Sequence, residues 1–199
     1  LWTVAKVLLE GVALVVIILL VFLGDIRSSV IVVATLILTP LLTFFVMNQF
    51  GISANLMSLG GLAVAIGLMV DGSVVVVENA FGHLGRPNKY GKRKVHIILK
   101  AVTEVATPVV FGIGIIILVF LPLMTLQGME GKMFAPLAFT IAIALAISLL
   151  LSLTLTPVLS SYMLKGGAEH DTRLVGFLKK HYLRMLDWVL ANAKKTVIL

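Results

Sequence analysis

The sequence predicts an all-α fold, a polytopic membrane helix bundle, and three observations carry that prediction. Hydrophobic residues make up 60% of the 199-residue chain and charged residues only 13%, against roughly 25% charged in soluble domains; mean hydropathy is +1.13. Five apolar stretches reach or approach the about 20 residues that cross a bilayer as a helix. Beyond them, the tail carries apolar residues at helical rather than strand spacing.

Residues 7–23 form the first expected span, with Lys6 and Glu10 at its outer end. The turn Gly24-Asp25-Ile26-Arg27-Ser28 leads to the second, 29–47. Pro40 lies inside it, which lipid-embedded helices tolerate when neighbours satisfy the freed carbonyl. An uncharged loop, 48–55, precedes the third span, 56–81. A basic loop, 82–104, follows with Arg86, Lys89, Lys92, Arg93, Lys94 and Lys100; residues 95–105 are expected as a short helix lying on the membrane surface. The fourth span is 105–126, with Pro108 and Pro122. A tight loop, 127–132, leads to the fifth, 133–164, which should kink or end near Thr156-Pro157 because proline removes a helix donor and restricts the residue before it.

These spans make 1–164 a transmembrane bundle. In 165–195, Leu174, Leu178, Tyr182, Met185, Leu186 and Val189 recur at helical spacing, with Lys179, Lys180, Arg184 and Asp187 largely between them. That pattern suits an amphipathic helix at the membrane interface; a helix packed on a soluble domain would share it. Residues 196–199 read as the start of another span, so the chain is expected to be a segment of a longer transporter.

The net charge of +7 could suggest a nucleic-acid partner. The basic residues instead sit beside apolar spans, where they mark the cytoplasmic side. Loops 82–104 and 165–195 are therefore expected inside, and Leu1 outside, entering from an extracytoplasmic domain. With no cysteine in the chain, disulfides and thiolate metal sites are excluded within it. No cofactor is expected, and the pattern is that of a transporter rather than an enzyme.

The chemistry centres on the third span. Asp71 lies near its middle and Glu78 seven residues on. A carboxylate at bilayer depth costs about 2.5–3.5 kcal/mol on insertion scales, so such residues mark ion or proton pathways. Asp71 is read as a proton carrier, since burial favours the neutral acid and a nearby cation the ion; a purely structural bridge between helices would also place an acid there. No Lys or Arg lies within any span, so a cationic partner should come from a helix outside this chain. Glu78, two turns on and about 10 Å nearer the cytoplasm, either passes the proton on or marks the interface with Asn79. Gly60, Gly61, Ala63, Gly67 and Gly72 allow close helix approach, which places this helix at the centre of the bundle. Val74-Val75-Val76-Val77 is expected to pack or to face lipid. Met57 and Met69 carry thioethers, which suit soft ions, although a methionine in an apolar span is more often packing.

Three strings in this span, Asn55-Leu56-Met57-Ser58-Leu59-Gly60-Gly61, Gly67-Leu68-Met69-Val70-Asp71-Gly72 and Val77-Glu78-Asn79, resemble the fourth transmembrane helix of resistance–nodulation–division (RND) exporters. Gly128-Met129-Glu130-Gly131-Lys132-Met133-Phe134-Ala135-Pro136-Leu137-Ala138-Phe139-Thr140 resembles the link between helices five and six in the heavy-metal efflux branch. The resemblance covers the whole chain, from helix two to the start of helix seven. It implies proton antiport with Asp71 as the relay acid, and Glu78 matches the acid closing the same motif. Drug-exporting relatives carry two adjacent acids where this chain has Asp71-Gly72. Divalent-metal relatives often carry an acid at the position of Ala65. Copper and silver relatives are similar at Met57 and Met69 but have further methionines where this chain has Val76 and Leu145. The resemblance thus implies export of a heavy-metal cation, leaning to copper or silver over zinc, cobalt or cadmium. It also implies an inner-membrane homotrimer with a periplasmic adaptor and an outer-membrane channel. Exporters of drugs or lipids, and translocation or sensing modules, share the superfamily and remain alternatives.

Overall fold

The computed structural model describes residues 2–85, 93–164 and 173–191, and every element among them is a helix. In chain order they are α1 (Trp2–Leu23), α2 (Ile26–Gln49), α3 (Leu56–Gly85), α4 (Lys94–Met124), α5 (Gly128–Leu153), α6 (Leu155–Met163) and α7 (Arg173–Ala191). The stretches 26–49, 56–85, 94–124 and 128–163 are long and apolar enough to cross a membrane. α1 spans 22 residues, with a shorter apolar stretch at Glu10–Val21. The expected loop cations Arg86, Lys89 and Lys92, and the expected next span at 196–199, lie outside the described residues.

Two expectations are corrected. Residues 95–105 are not a separate surface helix: α4 runs unbroken from Lys94 through Pro108. Residues 128–132 are not loop but the first turn of α5. The fifth stretch does break, at Thr154, between α5 and α6. Pro157 lacks an N–H for the carbonyl four residues back, and it falls in the first turn of α6, where no donor is needed.

Local chemistry fixes the helix starts. Gly24 takes a positive φ of 64° to turn the chain between α1 and α2. Asp25 then caps α2, its Oδ2 accepting from the Ser28 backbone N–H at 3.0 Å and the Ser28 hydroxyl at 2.8 Å. At the head of α3, the Ser58 N–H donates to Asn55 Oδ1 at 2.9 Å while the Asn55 N–H donates to Ser58 Oγ at 2.8 Å. This reciprocal box satisfies two donors that a helix start leaves free.

α3 is the hub, touching α1, α2, α4, α5 and α6. Its buried residues, Ser58, Gly61, Leu62, Ala65, Ile66, Met69, Gly72, Ser73, Val76, Val77 and Ala80, recur every three or four positions and define one covered face. Gly61 sets the closest approach: a Cβ there would lie 2.7 Å from the Leu137 carbonyl oxygen of α5. Near the other end of α3, Asn79 Nδ2 donates to the Ala101 carbonyl of α4 at 2.7 Å. His83 Nε2 lies 2.9 Å from Glu104 Oε2.

The interior divides into two apolar layers. One gathers Leu19, Ile31, Val32, Val76, Val77, Ala80, Ile98, Ala101, Val102 and Leu164. The other gathers Leu36, Leu62, Ala65, Ile66, Met69, Ile113, Ile141, Ala144 and Leu145. On α3 the boundary between them falls after Met69 and before Val76, at the turn that carries Asp71.

Candidate functional site

Asp71 is exposed, and so is Glu78. Neither side chain makes a hydrogen bond or ion pair with another described residue. The exposed positions of α3 within the span are Leu56, Gly60, Ala63, Val64, Gly67, Asp71, Val75 and Glu78. At about 100° per residue, all but Leu56 and Ala63 fall within roughly 40° of Asp71, in one narrow stripe. A Cβ on Gly60 or on Gly67 would meet nothing within 4 Å. The small residues therefore sort into two sets. Gly61 and Gly72 are spent on contacts inside the bundle, whereas Gly60, Ala63 and Gly67 flank Asp71 on an open face.

Behind Asp71 the turn is held by hydroxyls. The Ser148 hydroxyl of α5 donates to the Met69 carbonyl at 2.9 Å. The Thr35 hydroxyl of α2 lies 3.1 Å from Ser73 Oγ and 2.8 Å from the Val32 carbonyl. Ser152 Oγ would lie 3.6 Å from a Cβ placed on Gly72. All four hydroxyl residues are buried to 3% exposure or less. Asp71 alone drew attention in the sequence; this set did not. The signal was present as hydroxyls every fourth residue, at 148, 152, 156 and 160 on α5 and α6, and at 35, 39 and 43 on α2.

Met57 and Met69 do not come together. They are twelve residues apart, which places them about 18 Å apart along the axis and about 120° around it. Met57 is half-buried and lies close to the Asp71 stripe, whereas Met69 is 2% exposed and faces the core. Among the described residues, no group of three or more His, Asp or Glu is placed to hold a metal ion.

The family model of the AcrB/AcrD/AcrF family matches residues 1–199. The chain belongs to the AcrB/AcrD/AcrF family. Several of the proteins it is similar to are named for metal resistance or cation efflux. It is 42% identical over 198 residues to the cobalt-zinc-cadmium resistance protein CzcA of Cupriavidus metallidurans, covering 96% of this chain and 18% of that one. The cation efflux system protein CusA of Escherichia coli K12 is 36% identical over 200 residues, with 96% and 19% covered. A crystal structure of a heavy metal efflux pump superposes with a TM-score of 0.66 at 41% identity, covering 78% of this chain and 15% of that one. The chain thus spans under a fifth of the length of these relatives. It falls in the heavy-metal efflux branch, as a multi-pass inner-membrane protein.

The positions at which RND branches differ can now be placed. Gly72 stands where the drug-exporting pattern has its second acid. It is buried, and a Cβ there would lie 3.2 Å from Ile113 Cδ1 and 3.5 Å from Val109 Cγ1. Ala65 is fully buried. An acid at either place would point into the packed side of α3 rather than along the Asp71 stripe. Val76 and Leu145 are also fully buried, each in a different apolar layer.

Proposed function

We propose that this chain forms the first half of the transmembrane bundle of a proton-driven heavy-metal exporter, with Asp71 taking up and releasing the proton. The observation that carries this reading is the open stripe. An acid sits at the level where the two apolar layers meet, on a face lined by Gly60 and Gly67, with no cation of the described bundle against it. Such a face suits a second helix close enough to bring a Lys or Arg to Asp71, and small residues are what close packing of spanning helices uses. A carboxyl that alternates between that cation and a drier setting changes its proton affinity.

Glu78 extends the same stripe toward the cytoplasm and serves as the next proton station. The segments 82–104 and 165–195 lie on the cytoplasmic side, which agrees with Arg27 in the first turn of α2 lying near enough to Lys94 to repel it, at the same end of the bundle. The complete pump works as a homotrimer with a periplasmic adaptor and an outer-membrane channel. Its substrate is a heavy-metal cation drawn from a region beyond this chain.

The metal has two readings. The methionine resemblance leans to copper or silver, but Met57 and Met69 lie on different sides of α3 and form no path between them. The relatives named for cobalt, zinc, cadmium or nickel are 40–42% identical, and those named CusA or SilA are 35–36% identical, which favours a divalent cation.

Replacing Asp71 with Asn in the complete transporter tests the mechanism. Cells carrying D71N, at normal expression, should be as metal-sensitive as cells without the pump. Full resistance in that strain would refute the proton-carrier reading. Resistance to zinc, cobalt, copper and silver, measured side by side in the unaltered pump, separates the two metal readings.

A further inference from the structure

The starts of α2 and α4 bring cations together without bringing acids to them. Arg27 lies in the first turn of α2, and Lys94 is the first residue of α4. With one span between them, the two helices run the same way through the bundle. Ile31 and Ile98, each four residues on from its cation, are buried in the same apolar layer. That shared layer sets Arg27 and Lys94 at one level, about 6 Å nearer the end of the bundle. They are near enough to repel each other.

The backbones of α2 and α4 do not come together, although α3 and α6 each touch both. The two cations therefore stand on separate helices that share a layer only through side chains. Among the described residues the ion pairs are Lys6–Glu10 and His83–Glu104, so neither Arg27 nor Lys94 has an acidic partner there. Asp25 is spent on capping α2, accepting from the Ser28 N–H and hydroxyl. Glu104 faces His83, and Glu78 stands exposed on the α3 stripe. Arg93 and Lys100 add further exposed positive charge at the start of α4. Two like charges held together repel, and an anion between them turns that repulsion into attraction.

The surface beside the cations says which anion. Ile26 and Val30 on α2, and Val95 and Leu99 on α4, are all exposed. A free phosphate has no use for that apolar surface, whereas an acyl chain does. The guanidinium fork and the lysine ammonium both suit phosphate oxygens, and their apolar stems let the charges sit at headgroup level. A zwitterionic headgroup carries phosphate too, but its ammonium wants an acid, and none of the described acids is paired with this corner. We propose that Arg27 and Lys94 form a binding site for the phosphate of an anionic phospholipid headgroup, whose acyl chains lie along Ile26, Val30, Val95 and Leu99.

The site needs α2 and α4 to cross the bilayer and owes nothing to Asp71. A lipid seated there bridges α2 to α4 at the end where their backbones do not meet. It joins by charge two helices that the chain itself joins only through α3 and α6. Each basic residue near an anionic headgroup strengthens binding by about fivefold, so the two cations together distinguish anionic from zwitterionic lipid.

The test uses the complete transporter in phosphatidylethanolamine vesicles, with Leu99→Trp as a local reporter and the protein without it as background. Quenching by brominated phosphatidylglycerol should show tighter association than quenching by brominated phosphatidylethanolamine. Arg27→Gln and Lys94→Gln should each weaken the phosphatidylglycerol association by about fivefold, and the double variant by more than either. Lys100→Gln removes a charge from the same helix about 120° around from Lys94 and should leave the association within about twofold. If Arg27→Gln does not fold, Lys94→Gln against Lys100→Gln carries the test. No preference for phosphatidylglycerol, or one that survives the loss of both cations, overturns the site. An equal loss in Lys100→Gln reduces it to diffuse surface charge and overturns it too. Displacement of the lipid by inorganic phosphate makes a free anion the ligand and overturns the lipid assignment. D71N should bind the lipid as the unaltered protein does, which keeps this outcome separate from that of the proton-carrier reading.

Discussion

The two faces of α3 use the same small residues for opposite ends. On the covered face, Gly61 lets α3 and α5 meet backbone to backbone, and Gly72 accepts Ile113, Val109 and Ser152. On the open face, Gly60 and Gly67 touch nothing, and Asp71 and Glu78 stand between and beyond them without partners among the described residues. One face is finished by the chain itself. The other is shaped for something not supplied by α1 to α6. The difference separates the residues that make the bundle from those that make it work: stability should follow the first set and transport the second.

The largest stability effect expected from this contrast is at Gly61. An alanine Cβ would sit 2.7 Å from the Leu137 carbonyl oxygen and 3.2 Å from the Leu137 Cα. Backbone cannot swing aside as a side chain does, so α3 and α5 must separate. Gly61→Ala should cost about 1–3 kcal/mol, the usual range for overpacking a dense interior, read as a lower unfolding temperature in detergent. Gly72→Ala should cost less than about 1 kcal/mol. Its nearest neighbour, 3.2 Å away, is Ile113 Cδ1, the end of a flexible side chain that can move. Equal losses at the two positions would break the distinction between backbone and side-chain contact.

The hydroxyl pair comes next. Hydrogen bonds between spanning helices average about 0.6 kcal/mol and reach about 1.7. Removing the Ser148 or Thr35 hydroxyl should therefore leave a folded bundle, lowering its unfolding temperature less than Gly61→Ala does. A loss as large as that of Gly61→Ala would put these hydroxyls on a level with the backbone contact at Gly61 as part of the scaffold.

Much of this was legible in the sequence, and the limits have physical causes. Apolar runs of spanning length, the proline near Thr154 and the acid in the third span all announce themselves, because lipid leaves few alternatives to a helix. Helix ends were harder. Lys94–Thr103 continues α4 and Gly128–Lys132 opens α5 because polar residues at a helix end are as compatible with helix as with loop. The faces were hardest. Gly60 and Gly61 are adjacent and alike in sequence, but about 100° apart around the helix, and only the position of Leu137 decides which one is covered. The same holds for Met57 and Met69, which look like a pair in the string and are divided by the fold. Ser148 and Thr35 escaped notice because a serine or threonine in a spanning helix bonds its own backbone by default. That two of them instead reach α3 depends on helices far apart in the chain.

The smallest effect is expected at Gly60, and it is the most informative about the open face. A methyl there meets nothing within 4 Å, so Gly60→Ala has no clash to relieve. Alanine is also the better helix former by up to about 1 kcal/mol on scales measured in water, although lipid already enforces the helix. The unfolding temperature in detergent should hold or rise slightly. Transport responds to a different quantity, the distance at which a second helix can approach the stripe above Asp71. If that helix seats as closely as the glycines allow, one added methyl holds it away, and metal export should fall in the complete pump while stability does not. A Gly60→Ala pump that is both fully stable and fully active would mean that the second helix approaches only lower down, near Gly67 and Asp71, and that the upper part of the stripe faces lipid.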